Sequence, residues 1–488
     1  MSGPGRGKFR IEPFKHRVEL DAQYAEKTWK ILKDAIHEIN HRNASGLSFE
    51  ELYRNAYNMV LHRHGKALYD GLVATVTEHL VEIAGLVDAV QGDHFLQELE
   101  RRWQDHTKSM QMIRDILMYM DRIYVHPHGL KSVHDLGLAL WRDHVMRAAS
   151  IKPRVRAAVL GAINRERGGE QINQSLVRAV SSMLMDLGED VYVLDFEEPF
   201  IATTVEFYRA EAQSYLASSD CHDYLRRSEQ RLDEEAARVK EYLNVRSEAR
   251  VVACVEEELL SRQMRAVLGM PGSGLVAMLQ DDKHDNLALV YALFKRVRDG
   301  LGAVKEMMAE HVKAEGKGLV MDPEKEKDPL EYIEGLLRMK SKYDASIKAA
   351  FGNDRNFVNA LHHSFEYFVN INTRSAEYIS LYVDDKLRRG LKGASEDEVE
   401  QVLDRVMILF RFLQEKDVFE KYYKQHLAKR LLGGRTTSDD AERSFIVKLK
   451  TECGYQFTSK IEGMFNDMRT SRDTMAAFRS HLEEQLKS

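Results

Sequence analysis

An all-α architecture of several helix bundles follows from three features of this chain. Proline is scarce: eight in 488 residues, with none after Pro329, is under half of the roughly 5% usual share. Apolar residues recur at spacings of three and four over most of the length, the period of a helix with one buried stripe. Two-residue alternation rich in Val, Ile and Thr, the mark of a half-buried strand, is nearly absent. At roughly 100–200 residues per domain, the length predicts three or four domains.

Residues 1–17 read as a flexible arm, rich in Gly and Arg before Phe9-Arg-Ile-Glu-Pro-Phe14. From Ala22 the pattern turns helical, with Trp29, Leu32, Ile36 and Ile39 as one stripe. Ser48-Phe-Glu-Glu51 is a capping box, in which Ser48 and Glu51 each serve the other's amide. The helix it opens is expected to reach about His64, with Gly65 as its left-handed stop. A second clear helix is predicted from about Met110 to Val125, its stripe Ile113, Ile116, Leu117, Met120 and Ile123, with Pro127 beyond its end. The same period marks Leu225–Leu243, Ala253–Leu268, Leu287–Gly300, Tyr332–Phe351 and Glu396–Leu413. Breaks are expected at Gly168-Gly169, at Met270–Gly274, over the charged segment Gly316–Pro329, and at Gly433-Gly434.

Several functional classes fall on composition. The longest uncharged stretch, Ala266–Gln280, contains Pro271 and three glycines and is shorter than the ~20 residues a membrane helix needs. The basic start leads into no apolar run, so it is not expected to act as a secretory signal; nor does either terminus carry a lipidation motif. Cys221, Cys254 and Cys453 lie too far apart for a disulfide framework or cysteine zinc cluster, which suits the cytoplasm and nucleus. A net charge of −6 argues against general nucleic-acid binding.

No motif sets up chemistry. Gly269-Met-Pro-Gly-Ser-Gly274 lacks the preceding strand and the Lys-Ser/Thr pair of a phosphate loop, and reads as an interhelical turn. The 19 histidines include His37 and His41 at i, i+4 spacing, but no Glu-bearing metal motif accompanies them. No nucleophile elbow or acid–base pair stands out. The basic helix Lys421–Leu432 is read as a core stripe of Phe419, Tyr422, Tyr423, Leu427 and Leu431 with its charges facing outward. No catalytic residue, cofactor or metal is expected.

The informative feature is a helix with too many apolar faces. After Ser48, one stripe is Leu52, Ala56, Met59 and Val60; a second is Phe49, Tyr53, Tyr57 and Leu61. One stripe docks a helix on its own core, so the second needs another partner. In the following helix, Tyr119 and Arg122 likewise lie off the main stripe. Tyr and Arg dominate the energetics of protein interfaces. Burial of both faces inside one bundle is the competing reading.

The blocks Gly46-Leu-Ser-Phe-Glu-Glu-Leu-Tyr-Arg-Asn-Ala-Tyr-Asn-Met-Val-Leu61 and Met112-Ile-Arg-Asp-Ile-Leu-Met-Tyr-Met-Asp-Arg122 resemble the cullins, in particular the class that binds BTB-domain adaptors. Asn353-Asp-Arg355, Phe365-Glu-Tyr-Phe368, Asp384-Asp-Lys-Leu387, Gln414-Glu-Lys-Asp-Val-Phe419 and Leu449-Lys-Thr-Glu-Cys-Gly454 carry the likeness from about Phe9 to Leu482. Asp322-Pro-Glu-Lys325 resembles the plant branch. The resemblance implies an elongated stalk of three cullin repeats, each a five-helix bundle, followed by a four-helix bundle. Boundaries are placed at 18–150, 151–270 and 271–378 for the repeats and 379–488 for the last bundle. It also implies an adaptor-binding surface of Leu47, Phe49, Glu50, Tyr53, Tyr57, Tyr119 and Arg122, with Phe9, Ile11 and Phe14 of the arm entering a groove on the adaptor.

Members of the family continue into an α/β segment that completes a sheet with a RING-box protein, and into a winged-helix segment whose lysine takes a ubiquitin-like modifier. Neither is found here. The expectation is therefore a non-catalytic, C-terminally truncated scaffold of a ubiquitin ligase. Its stable hold on the RING partner is in doubt, and it is expected to compete with the full-length ligase for adaptors. The alternative is a helical rod that tethers membranes, or another interaction protein without a ligase role.

Overall fold

The computed structural model describes residues 22–92, 94–390, 395–434 and 439–487. Every regular element among these residues is helical, and no helix there is long and apolar enough to cross a membrane. The described residues divide into two compact units, those up to 208 with 232–255, and 209–231 with those from 256 onward.

The first unit holds α1 (Ala22–Asn40), α2 (Phe49–Leu61), α3 (Gly65–Ala89), α4 (His94–Ile116), the short α5 (Met118–Met120), α6 (Val133–Trp141), α7 (Ile151–Arg167), α8 (Gln174–Leu187) and α9 (Glu189–Tyr192). It also takes parts of α10 (Glu198–Ser218) and α11 (Cys221–Tyr242), and most of α12 (Glu248–Glu256). One continuous apolar core runs from Leu32, Ile36 and Ile39 of α1 to Val239 and Tyr242 of α11. The stripe predicted on α1 is the face that packs on α2, α3 and α4. Deep in this unit lies an ionic cluster without solvent contact. The Arg167 guanidinium bonds both carboxylate oxygens of Glu235, at 2.8 and 3.2 Å, and Thr204 Oγ1 at 2.8 Å. The Tyr208 hydroxyl donates to Glu235 at 2.6 Å. Burial alone would raise the Glu235 pKa; the arginine charge and these bonds outweigh it and hold the carboxyl below its ordinary value.

The second unit continues with α13 (Met264–Leu268), α14 (Leu275–Gln280), α15 (His284–Phe294), α16 (Gly300–Val320), α17 (Pro323–Glu326), α18 (Pro329–Ala350), α19 (Arg355–Val369), α20 (Ser375–Asp385), α21 (Glu396–Phe412), α22 (Lys416–Gly433), α23 (Asp439–Cys453) and α24 (Tyr455–Lys487). Here α16 packs along α19, α20 along α22, and α23 along α24.

Several boundaries differ from the sequence reading, each for a packing reason. The break expected from Gly316 does not occur there: α16 runs through it to Val320, because a Cβ at Gly316 would lie 2.3 Å from the Phe368 ring and glycine admits the close approach of α19. The helix expected to end at Gly300 stops at Phe294, and Gly300 opens α16 after Asp299 turns left-handed at φ +59°. The helix over Ala253–Leu268 is interrupted by a π turn at Glu257–Ser261. On α22, Phe419, Tyr423 and Leu427 are buried as expected, but the charges do not all face outward: Arg430 is buried too. It bonds Glu442 at 2.5 and 2.9 Å and Asp384 at 2.5 Å. The Gly269–Gly274 segment is an interhelical turn, with Gly272 left-handed and the Ser273 hydroxyl accepting from the Cys221 amide at 3.2 Å.

Candidate functional site

Ser48 caps α2, its hydroxyl accepting from the Glu51 amide at 3.4 Å. This fixes the phase of the helix, and with it which residues face the core. Leu52, Ala56, Met59 and Val60 are buried. The second stripe stays open: Phe49 is 40% and Leu61 52% exposed, with Tyr53 and Tyr57 half-buried between them. Glu50 is exposed and paired with Arg54 at 2.7 Å, one turn along. Leu47, just before the cap, is half-buried and rests against the core of the unit.

The helix ends at Leu61, earlier than expected, and its left-handed residue is Arg63, at φ +67°, rather than Gly65. Gly65 instead opens α3 beneath the Tyr124 ring, where an added Cβ would come within 2.7 Å of the ring carbons. Tyr124 belongs to the neighbouring half of the site.

That half begins with α4, which starts at His94 rather than near Met110 and stops at Ile116. Leu117 interrupts it; α5 follows and passes into a π turn, Asp121–Val125. A π turn carries one more residue than an α turn, so the apolar phase slips there. Ile113, Ile116, Leu117 and Met120 are buried as predicted, but Ile123 leaves the core and is 52% exposed, while Val125 takes an inward place. The Asp121 carboxylate accepts from the Val133 amide at 3.0 Å and ties the turn to the start of α6. Its pKa is raised by burial, against the lowering effect of that amide.

α5 lies against α2, and the rings of Tyr57 and Tyr119 meet with centroids 4.4 Å apart at 47°. Tyr119 also leans on the core. Arg122 is exposed and has no carboxylate partner among the described residues. The structure therefore brings Leu47, Phe49, Glu50, Tyr53, Tyr57, Tyr119 and Arg122 onto two contacting elements. Phe9, Ile11 and Phe14 lie outside the described residues. Met118 and Ile123, both exposed beside Tyr119 and Arg122 in the sequence, were not among the expected site residues. Nothing in a 3.6-residue period flags them, since the π turn that turns Ile123 outward has no signature in the spacing. Chemically, the arrangement offers apolar area, phenol hydroxyls and one free guanidinium, which suits docking of a protein surface.

An all-α protein with an open apolar face shared by two contacting helices is the class defined by this geometry. Residues 29–475 match the Cullin alpha solenoid domain, and the chain belongs to the cullin family. It is 56% identical over 478 residues to Cullin-3A of Arabidopsis thaliana, covering 98% of this chain and 65% of that protein. Identity to Cullin-3 of Dictyostelium discoideum is 48% (100% of this chain, 64% of the relative), and to Cullin-3 of Caenorhabditis elegans 40% (99% and 63%). The chain thus spans just under two thirds of the length of these relatives.

Proposed function

We propose that this chain is the adaptor-binding part of a ubiquitin-ligase scaffold, and that the α2–α5 face receives a BTB-domain substrate adaptor. The observation that carries the reading is the open second stripe of α2, Phe49-Tyr53-Tyr57-Leu61, continued across the Tyr57–Tyr119 contact to exposed Arg122, which has no carboxylate partner among the described residues. A helix surplus to its own core presents area that only a partner can bury. Phe9, Ile11 and Phe14 extend the contact onto the adaptor beside its BTB domain. The stalk is organised as three repeats, 18–150, 151–270 and 271–378, with a further bundle from 379. A polypeptide of these 488 residues competes with longer relatives for adaptors in the cytoplasm and nucleus, and so slows ubiquitin transfer.

The test is calorimetric titration with a purified BTB adaptor. Tyr53→Ala and Arg122→Ala are each expected to cost about 2 kcal/mol of binding, with unchanged circular dichroism and melting. Deleting residues 1–17 should weaken binding further. Wild-type affinity in both point variants overturns the assignment of this face.

A further inference from the structure

The open face of α2 changes character toward its C-terminal end. Tyr57 meets the Tyr119 ring, and further along both segments Gly65 lies beneath the Tyr124 ring. Two contacts in the same order set α2 and the segment 119–124 side by side, running the same way. Leu61 and Ile123 fall between those contacts, one on each segment, and each is 52% exposed. Met118, one helical turn before Arg122, is exposed as well. This end of the face is aliphatic, whereas the other end, Phe49 and Tyr53, is aromatic.

Ile123 is held outward by the chain itself. The π turn Asp121–Val125 carries it out of the core's phase. The turn is fixed at both ends: the Asp121 carboxylate accepts from the Val133 amide at 3.0 Å, and Val125 is buried. An apolar side chain already fixed at the surface loses little freedom on docking, so it is a pre-organised anchor.

Two cations border this end. Arg122 lies in the π turn, and Arg63, left-handed at φ +67°, lies just before Gly65. Both are exposed, and neither has a carboxylate within ion-pair distance among the described residues. The nearby carboxylates are engaged elsewhere: Asp121 on the Val133 amide, and Asp115 on Arg114 at 3.5 Å. Uncompensated guanidinium groups at the rim of an apolar patch favour a partner with negative charge in the matching place.

We infer that Leu61, Met118 and Ile123 form a second anchor of the adaptor-binding face, which takes an apolar patch of the adaptor whose border, against Arg63 and Arg122, is acidic. This rests on the docking proposed above and adds the chemistry the adaptor must bring to this end. The occupant is the adaptor and not a second copy of this chain. The patch continues the Tyr57–Tyr119 contact of the proposed face, and a two-fold pairing of the patch with itself would bring its arginines together.

The test is calorimetric titration of the full chain with a purified BTB adaptor, with Tyr53→Ala as the reference for the face as a whole. Ile123→Ala should weaken binding about ten-fold, at low and high salt alike. Arg63→Asn should weaken it about five-fold at low salt, and that loss should fade as sodium chloride rises. Both positions are exposed, and asparagine suits a left-handed backbone, so melting should not fall in either variant. In the double variant with Tyr53→Ala, the Ile123→Ala loss should add, as it does for separate anchors. Weakened binding in Tyr53→Ala with wild-type affinity in Ile123→Ala and Arg63→Asn overturns the second anchor and leaves the docking face standing. A loss in Ile123→Ala without one in Arg63→Asn keeps the apolar anchor and overturns its acidic border. Wild-type affinity in all three overturns the face and the anchor together.

Discussion

His106 sits in the core of the first unit, stacked on Trp141 with ring centroids 5.1 Å apart, its Nε2–H donating to the Gly137 carbonyl at 3.0 Å. Burial pushes its pKa down to about 4, against the opposing pull of the Gly137 bond. The folded state therefore keeps it neutral where the unfolded chain, with a pKa near 6.5, takes up a proton. The stability this contributes is fully present above pH 6.5 and is lost as pH falls toward 4, a change of about 3 kcal/mol across that window. Urea denaturation of His106→Gln between pH 7 and 4.5 should show a flatter dependence than wild type, though a lower value at pH 7. At the same scale, the two tyrosines of α2 differ in what they test. Tyr57 is committed to the Tyr119 ring, so Tyr57→Ala removes a contact within the chain as well as the proposed binding area; Tyr53 has no such ring partner among the described residues and is the cleaner probe of the proposed docking. The spacing of Phe49, Tyr53 and Tyr57 made this face visible in the sequence, because a second stripe on one helix is a local pattern. Which tyrosine leans on Tyr119 was not visible, because Tyr119 lies 62 positions from Tyr57 and meets it only through packing.

The element that shapes the site is the π turn at Asp121–Val125, held by the Asp121 bond to the Val133 amide and by the Tyr124 ring over Gly65. Gly65 is needed here for space and not for a left-handed backbone. Gly65→Ala should drive a methyl into the Tyr124 ring, cost about 1–3 kcal/mol of stability as overpacking does, and weaken the adaptor binding proposed for this face by shifting Arg122. Parallel melting and calorimetry check it, and unaltered melting would show that the ring yields freely. Helix starts with local chemistry were partly readable: Ser48 caps α2 as expected, with only its own half of the expected reciprocal box formed, while the full box is the one Ser395 makes with Glu398, which the sequence reading did not single out. Helix continuations were less so. Gly316 looks like a break to any local rule, yet α16 passes through it because Phe368 of another helix fills the space a side chain would take.

Across the molecule, each unit keeps a buried ionic cluster that joins elements distant in the chain: Arg167 and Glu235 in the first, Arg430 with Glu442 and Asp384 in the second. Such clusters contribute little by themselves, because desolvation offsets attraction, but removing one member strands a buried charge. Arg430→Ala should therefore destabilise the chain by roughly 3–5 kcal/mol in chemical denaturation, while Arg430→Met combined with Glu442→Leu should recover much of that loss. If Arg430→Ala unfolds at the wild-type midpoint, water reaches the cluster and the burial is only apparent. The sequence by itself determined that the regular structure of the described residues is helical, where several of the helices begin, and that α2 carries a second apolar stripe. These follow from propensity, capping and periodicity, which act over a few neighbouring residues. Only the tertiary structure decided that Ile123 faces out, that Arg430 faces in, and that Tyr57 meets Tyr119. Those outcomes depend on which helices approach and how closely, and close packing between distant segments is set by the whole chain at once.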